Sequence, residues 1–124
     1  MQILLDECVT KHLKPHLPLH EVSTVAEQGW SGFKNGQLIT AAAIAGFDML
    51  LTIDKNIQYQ KPAGNYTLIV AVLDTPSSKL EILTKYLPAF EQQLVFCKRK
   101  CLRRKPVNLI HISTFFNPLK ASRF

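Results

Sequence analysis

Asp6 and Glu7 close the apolar run Ile3-Leu4-Leu5, and Asp54 closes a second run, Met49-Leu50-Leu51-Thr52-Ile53. Short apolar runs that stop at a polar residue have the pattern of buried strands in a parallel sheet. Open parallel sheets hold their ligand sites outside the carboxyl ends of the strands. Carboxylates gathered at such an edge repel one another unless a cation lies among them, and hard oxygen donors suit Mg²⁺ or Mn²⁺. The expected ligands are Asp6 and Asp54, with amide oxygens from Asn35 and Asn56 and water completing the shell. Glu7 and Gln37 would assist directly or by orienting water, and Lys55 would neutralise charge on a phosphate oxygen. Each acid alone is also a good cap for the turn after its strand, so the site reading rests on their conjunction.

The elements that would position these residues follow from periodicity. Gln2 to Leu5 is the first expected strand. Val9, Leu13 and Leu17 recur at helical spacing, with Thr10 or Cys8 near the start and Pro15 and Pro18 limiting the helix. His20 to Val25 alternates as a short second strand. A glycine-rich loop with Trp30 and Phe33 leads to a helix from about Gly36 to Ala45, with Asn35 as its expected cap and Gly46 as its stop. Trp30 and Phe33 fit either base stacking or burial against the sheet. Phe47 to Ile53 and Thr67 to Leu73 are further strands, the second broken by Asp74-Thr75-Pro76-Ser77. Ser78 and Glu81 match a capping box. Leu80, Leu83, Leu87, Phe90 and Leu94 then follow at helical spacing, with a kink or split expected at Pro88. Val107 to Ile112 reads as a last, edge strand. The order β-α-β-α-β-β-α-β predicts an α/β sandwich around a mostly parallel sheet.

At 124 residues and 47% hydrophobic content the chain is expected to be one domain, 1–124, with a full core. Residues 113–124 have no clear period and are expected to fray or meet a partner. No apolar stretch reaches the roughly 18 residues that a membrane span needs, and Asp6 and Glu7 arrive too early for a secretion signal. A cytoplasmic protein with reduced thiols at Cys8, Cys97 and Cys101 is the expectation. The net charge is +6. It is concentrated in Lys98, Arg99, Lys100, Arg103, Arg104 and Lys105, a block suited to a nucleic-acid backbone and equally to the carboxyl end of a solvated helix.

Several stretches together resemble a known family. They are Met1 to Glu7, His20 to Val25, Gly29-Trp30, Lys34 to Leu38, Ala45 to Asp48, and Leu51-Thr52-Ile53-Asp54-Lys55-Asn56-Ile57. The first half of the chain is similar to the small bacterial PIN-like domain proteins, relatives of the VapC-type toxin ribonucleases. From Tyr66 onward the likeness rests on element order. The resemblance implies a PIN-like three-layer sandwich and a Mg²⁺- or Mn²⁺-dependent endoribonuclease, the toxin of a toxin–antitoxin pair. RNA would be the substrate, and an antitoxin protein and a second copy of the chain the partners. Asp6 matches the family's first acid, and Asp54 the acid of its Thr-x-Asp motif. Asn35 and Asn56 stand where relatives often carry acids, and each loses a full charge. A weak nuclease, or a PIN-like module that only binds nucleic acid or a partner protein, is the alternative.

Overall fold

The computed structural model describes residues 1–55, 68–100 and 107–112, with the side chains of Asn35, 95–100 and 107–111 outside the description. Five strands form one sheet: β1 (Gln2–Leu5), β2 (Glu21–Thr24), β3 (Met49–Thr52), β4 (Leu68–Leu73) and β5 (Val107–Ile112). The spatial order is β2-β1-β3-β4-β5, and every neighbouring pair is parallel. The fold is therefore α/β with an all-parallel sheet, and β5 lies at an edge as its position in the sequence suggested.

Burial on both faces explains why β1, β3 and β4 are apolar without alternation. Ile3, Leu5, Met49, Leu51, Ile69, Ala71 and Leu73 enter one core cluster with Leu13, Leu17, Leu83, Phe90 and Leu94. The intervening Leu4, Leu50, Leu68, Val70 and Val72 enter a second with Leu38, Ile39, Ala42 and Ala43. The small alanines let α1 (Asn35–Ile44) lie close on this second face.

Several boundaries differ from the periodicity. The stretch after β1 forms a 3-10 helix, Lys11–His16, rather than an α-helix from Val9. Pro15 has no N–H for an α-helical ladder and Pro18 follows closely. Thr10 does cap it, its hydroxyl accepting the His12 N–H at 3.3 Å. Lys34, not Asn35, is the N-cap residue of α1, and its side chain makes no capping bond. Gly46, with φ 90°, ends that helix as expected. Its N–H donates to Ala43 O at 3.2 Å, and the Phe47 N–H donates to Ala42 O at 3.1 Å, the paired bonds of a Schellman stop.

The Ser78 capping box does not form. Lys79 is the N-cap of α2 (Leu80–Leu83), and its N–H is taken instead by Ser77 Oγ at 3.2 Å. A 3-10 turn at Thr84–Tyr86 then leads into α3 (Leu87–Lys100). Pro88 thus falls in the first turn of α3, where a missing N–H removes no helical bond. Glu91 on α3 holds the residue before β2, since His20 Nε2 lies 2.8 Å from Glu91 Oε1. Phe90 packs edge-on against that imidazole, 6.3 Å between centroids.

Candidate functional site at the carboxyl edge of the sheet

The parallel register sets Leu5 beside Leu51, and the ladder continues one step further, Asp6 N–H donating to Leu51 O at 2.9 Å. Asp6 therefore leaves β1 level with the end of β3. Thr52, fully buried, donates its hydroxyl to Asp6 Oδ2 at 2.8 Å. The same hydroxyl oxygen accepts the Asp54 N–H at 3.1 Å. One side chain thus ties the carboxylate that ends β1 to the backbone that carries the acid after β3. The two acids expected at the site therefore leave adjoining strands whose ends share this one hydroxyl.

Asp6 keeps capacity for a further ligand. Oδ1 accepts the Glu7 N–H at 2.8 Å, and Oδ2 also lies 3.6 Å from Cys8 Sγ. A carboxylate has about four lone-pair sites, so Oδ1 retains one. Cys8 sits 3.4 Å from Thr52 Oγ1. Although the residue as a whole is exposed, the partial burial of its sulfur pushes the thiol pKa above the usual thiol range, and the neighbouring Asp6 charge adds to the rise. This thiol stays protonated at neutral pH and acts as a weak donor, not a nucleophile.

Other expected site residues are committed elsewhere. The Glu7 carboxylate accepts the Gly32 N–H, which fastens the Trp30–Phe33 loop to the end of β1. Lys55 pairs with Asp74, Nζ to Oδ1 at 3.0 Å, both half-exposed. Gln37 is exposed in the first turn of α1. The Asn35 side chain and all of Asn56 lie outside the described residues, as do Arg103, Arg104 and Lys105. Lys98, Arg99 and Lys100 belong to the last turn of α3, their side chains outside the description.

Asp74, expected only as part of the break after its strand, also lies at this edge. It follows β4 directly and donates its N–H to Ile112 O at 2.7 Å, so a third strand ends in an acid at the same sheet edge. The signal was the same as at Asp6 and Asp54. It was masked by Thr75-Pro76-Ser77, which read as a plain turn and does form one, Thr75 Oγ1 donating to Ser77 O at 2.7 Å.

Among the described residues no group of three or more His, Cys, Asp or Glu side chains is gathered so as to hold a metal ion. Mg²⁺ does not require such a cage, because it commonly binds through one or two carboxylates plus water and substrate phosphate. Asp6 and Asp54, hard donors on adjoining strand ends, fit that pattern. A recess lined by Gln2, Glu21, Ser23, Gln28, Ala45 and Phe47 lies away from these acids, beside the edge strand β2. Its one carboxylate, Glu21, is met by the Gln2 amide at 3.4 Å.

The chain matches no protein-family model, no curated protein and no solved structure. The strand order is that of flavodoxin-like folds, which place ligands where the order reverses, between β1 and β3. Such folds host unrelated chemistries, so function is argued from the site. Among the described residues no helix is long and apolar enough to cross a membrane.

Proposed function

We propose that this chain is a PIN-like domain that cleaves RNA with the help of Mg²⁺ or Mn²⁺ at the carboxyl edge of its sheet. The observation that carries the reading is the Thr52 hydroxyl, which joins the Asp6 carboxylate to the Asp54 backbone at the switch between β1 and β3. Asp6 and Asp54 would hold the ion. A bound ion of this kind lowers the pKa of a water and neutralises charge on a displaced phosphate oxygen. Thr52 orients Asp6 by donating to its Oδ2. Lys55, released from Asp74, has the reach and charge to meet a phosphate. The Lys98 to Lys105 block would hold the RNA backbone. The roles of toxin, antitoxin partner and homodimer rest on the family resemblance alone.

Asp6→Asn and Asp54→Asn should each abolish Mn²⁺ binding, read by calorimetry, and Mn²⁺-dependent cleavage of RNA. Cleavage that persists in both variants would overturn the assignment.

A second reading is a PIN-like module that binds RNA or a protein without cutting. It is favoured by the engagement of Glu7 with Gly32 and of Lys55 with Asp74, and by amides at Asn35 and Asn56. Salt-sensitive RNA binding with no heat of Mn²⁺ binding at millimolar metal would select it.

A further inference from the structure

The loop between β2 and α1 carries Trp30 and Phe33, the first being the only tryptophan in the chain. Their rings are stacked, 6.2 Å between centroids and 14° between planes. Trp30 is braced from behind by Phe47, edge-on at 6.1 Å. Both rings pack against the α1-side core, but neither is fully covered. The packing that was expected as an alternative to base stacking therefore leaves both residues partly exposed. Gly29 and Gly32 adopt φ of 76° and 86°, a backbone region closed to most side chains. The Gly32 N–H is held by Glu7, the residue next to Asp6. A braced aromatic pair is thus anchored directly to the acidic strand end. Lys34, exposed, follows Phe33 immediately, and the first turn of α1 contains no acid.

We infer that the Trp30–Phe33 loop is a platform for an unpaired nucleobase of single-stranded RNA, placed beside the Asp6–Asp54 edge. Stacking on aromatic faces tolerates any base, because every base has a π face. Rings held in place by the core lose little freedom when a base arrives. Lys34 supplies a cation for the adjoining phosphate. Glu7 in this arrangement is a positioning residue, since it sets the platform relative to Asp6. The inference rests on the RNA reading above and adds where the bases lie.

The test uses the whole chain in EDTA, so that cleavage plays no part. A labelled single-stranded oligoadenylate is added, and label anisotropy and Trp30 fluorescence are read together. Quenching of Trp30 that tracks the anisotropy is expected, with a hairpin duplex giving no quenching. Phe33→Leu, which keeps apolar bulk but removes the π face, should weaken binding by about fivefold to about a hundredfold. The far-ultraviolet circular dichroism spectrum should be unchanged. Binding by anisotropy with no Trp30 response and no effect of Phe33→Leu would overturn the platform while leaving RNA binding intact. An absence of anisotropy change at low salt would overturn the RNA reading, and the platform with it.

Discussion

Thr52 concentrates the structural dependence of the site in one hydroxyl. It is fully buried, its hydroxyl donates a hydrogen bond to Asp6 and its oxygen accepts the Asp54 N–H. Thr52→Val preserves shape but leaves a carboxylate oxygen and an amide without that partner. Asp6 and Asp54 are only partly buried, so water replaces part of what is lost, and urea unfolding should show a loss of about 0.5–1.5 kcal/mol, the net worth of an ordinary hydrogen bond. Thr52→Ser restores the oxygen and should recover most of it. Equal stability of the valine and serine variants would mean that the hydroxyl does not organise this edge. At this scale Asp6 and Asp54 were legible as acids that end apolar runs, whereas Asp74, which ends β4 in the same way, was hidden by the turn that follows it. The partners of the acids were not legible, because Thr52 meets Asp6 and Gly32 meets Glu7 only through the tertiary fold. The Glu7–Gly32 bond joins positions 25 apart, and nothing local in either segment announces it.

Among the elements, the turn from α1 into β3 fixes where Asp54 emerges, and Gly46 is its critical residue. A Cβ built there meets nothing within 4 Å, so the obstacle to a larger residue is conformation rather than space. Gly46→Ala forces an alanine to φ 90°, at about 1–2 kcal/mol. That loss should appear as a lower urea midpoint with an unchanged slope. A neutral substitution would show that the turn relaxes without the Schellman bonds. The same turn was readable beforehand, because a glycine after a run of helix-forming residues has a specific backbone use. The helix starts were less readable. Capping depends on the φ and ψ of one residue, and extended backbone at Lys34 and Lys79 moved each start away from the side chain that looked suited to it. Pro88 illustrates the reverse case: the split it implied is present, and the proline opens α3 instead of bending it.

For the molecule as a whole, alternation of strands and helices determined the α/β class, but strand order is a property of crossovers that no local segment encodes. The charge distribution is likewise a global property, and it makes the last prediction. The six cations between Lys98 and Lys105 supply much of the +6 balance, on the far side of the sequence from Asp6. If RNA lies along them, counterion release makes log affinity fall with log salt by about 0.7 per phosphate contacted on a single strand. Replacing Arg103, Arg104 and Lys105 by glutamine removes three such contacts. The slope should then become shallower by about 2, with weaker binding for every sequence alike. The measurement is the dissociation constant of a single-stranded oligonucleotide from 50 to 200 mM salt, a range chosen because the expected change there is about tenfold or more. An unchanged slope would assign the block to stabilising the carboxyl end of α3 and leave the RNA contacts to the residues around Lys34 and Lys55.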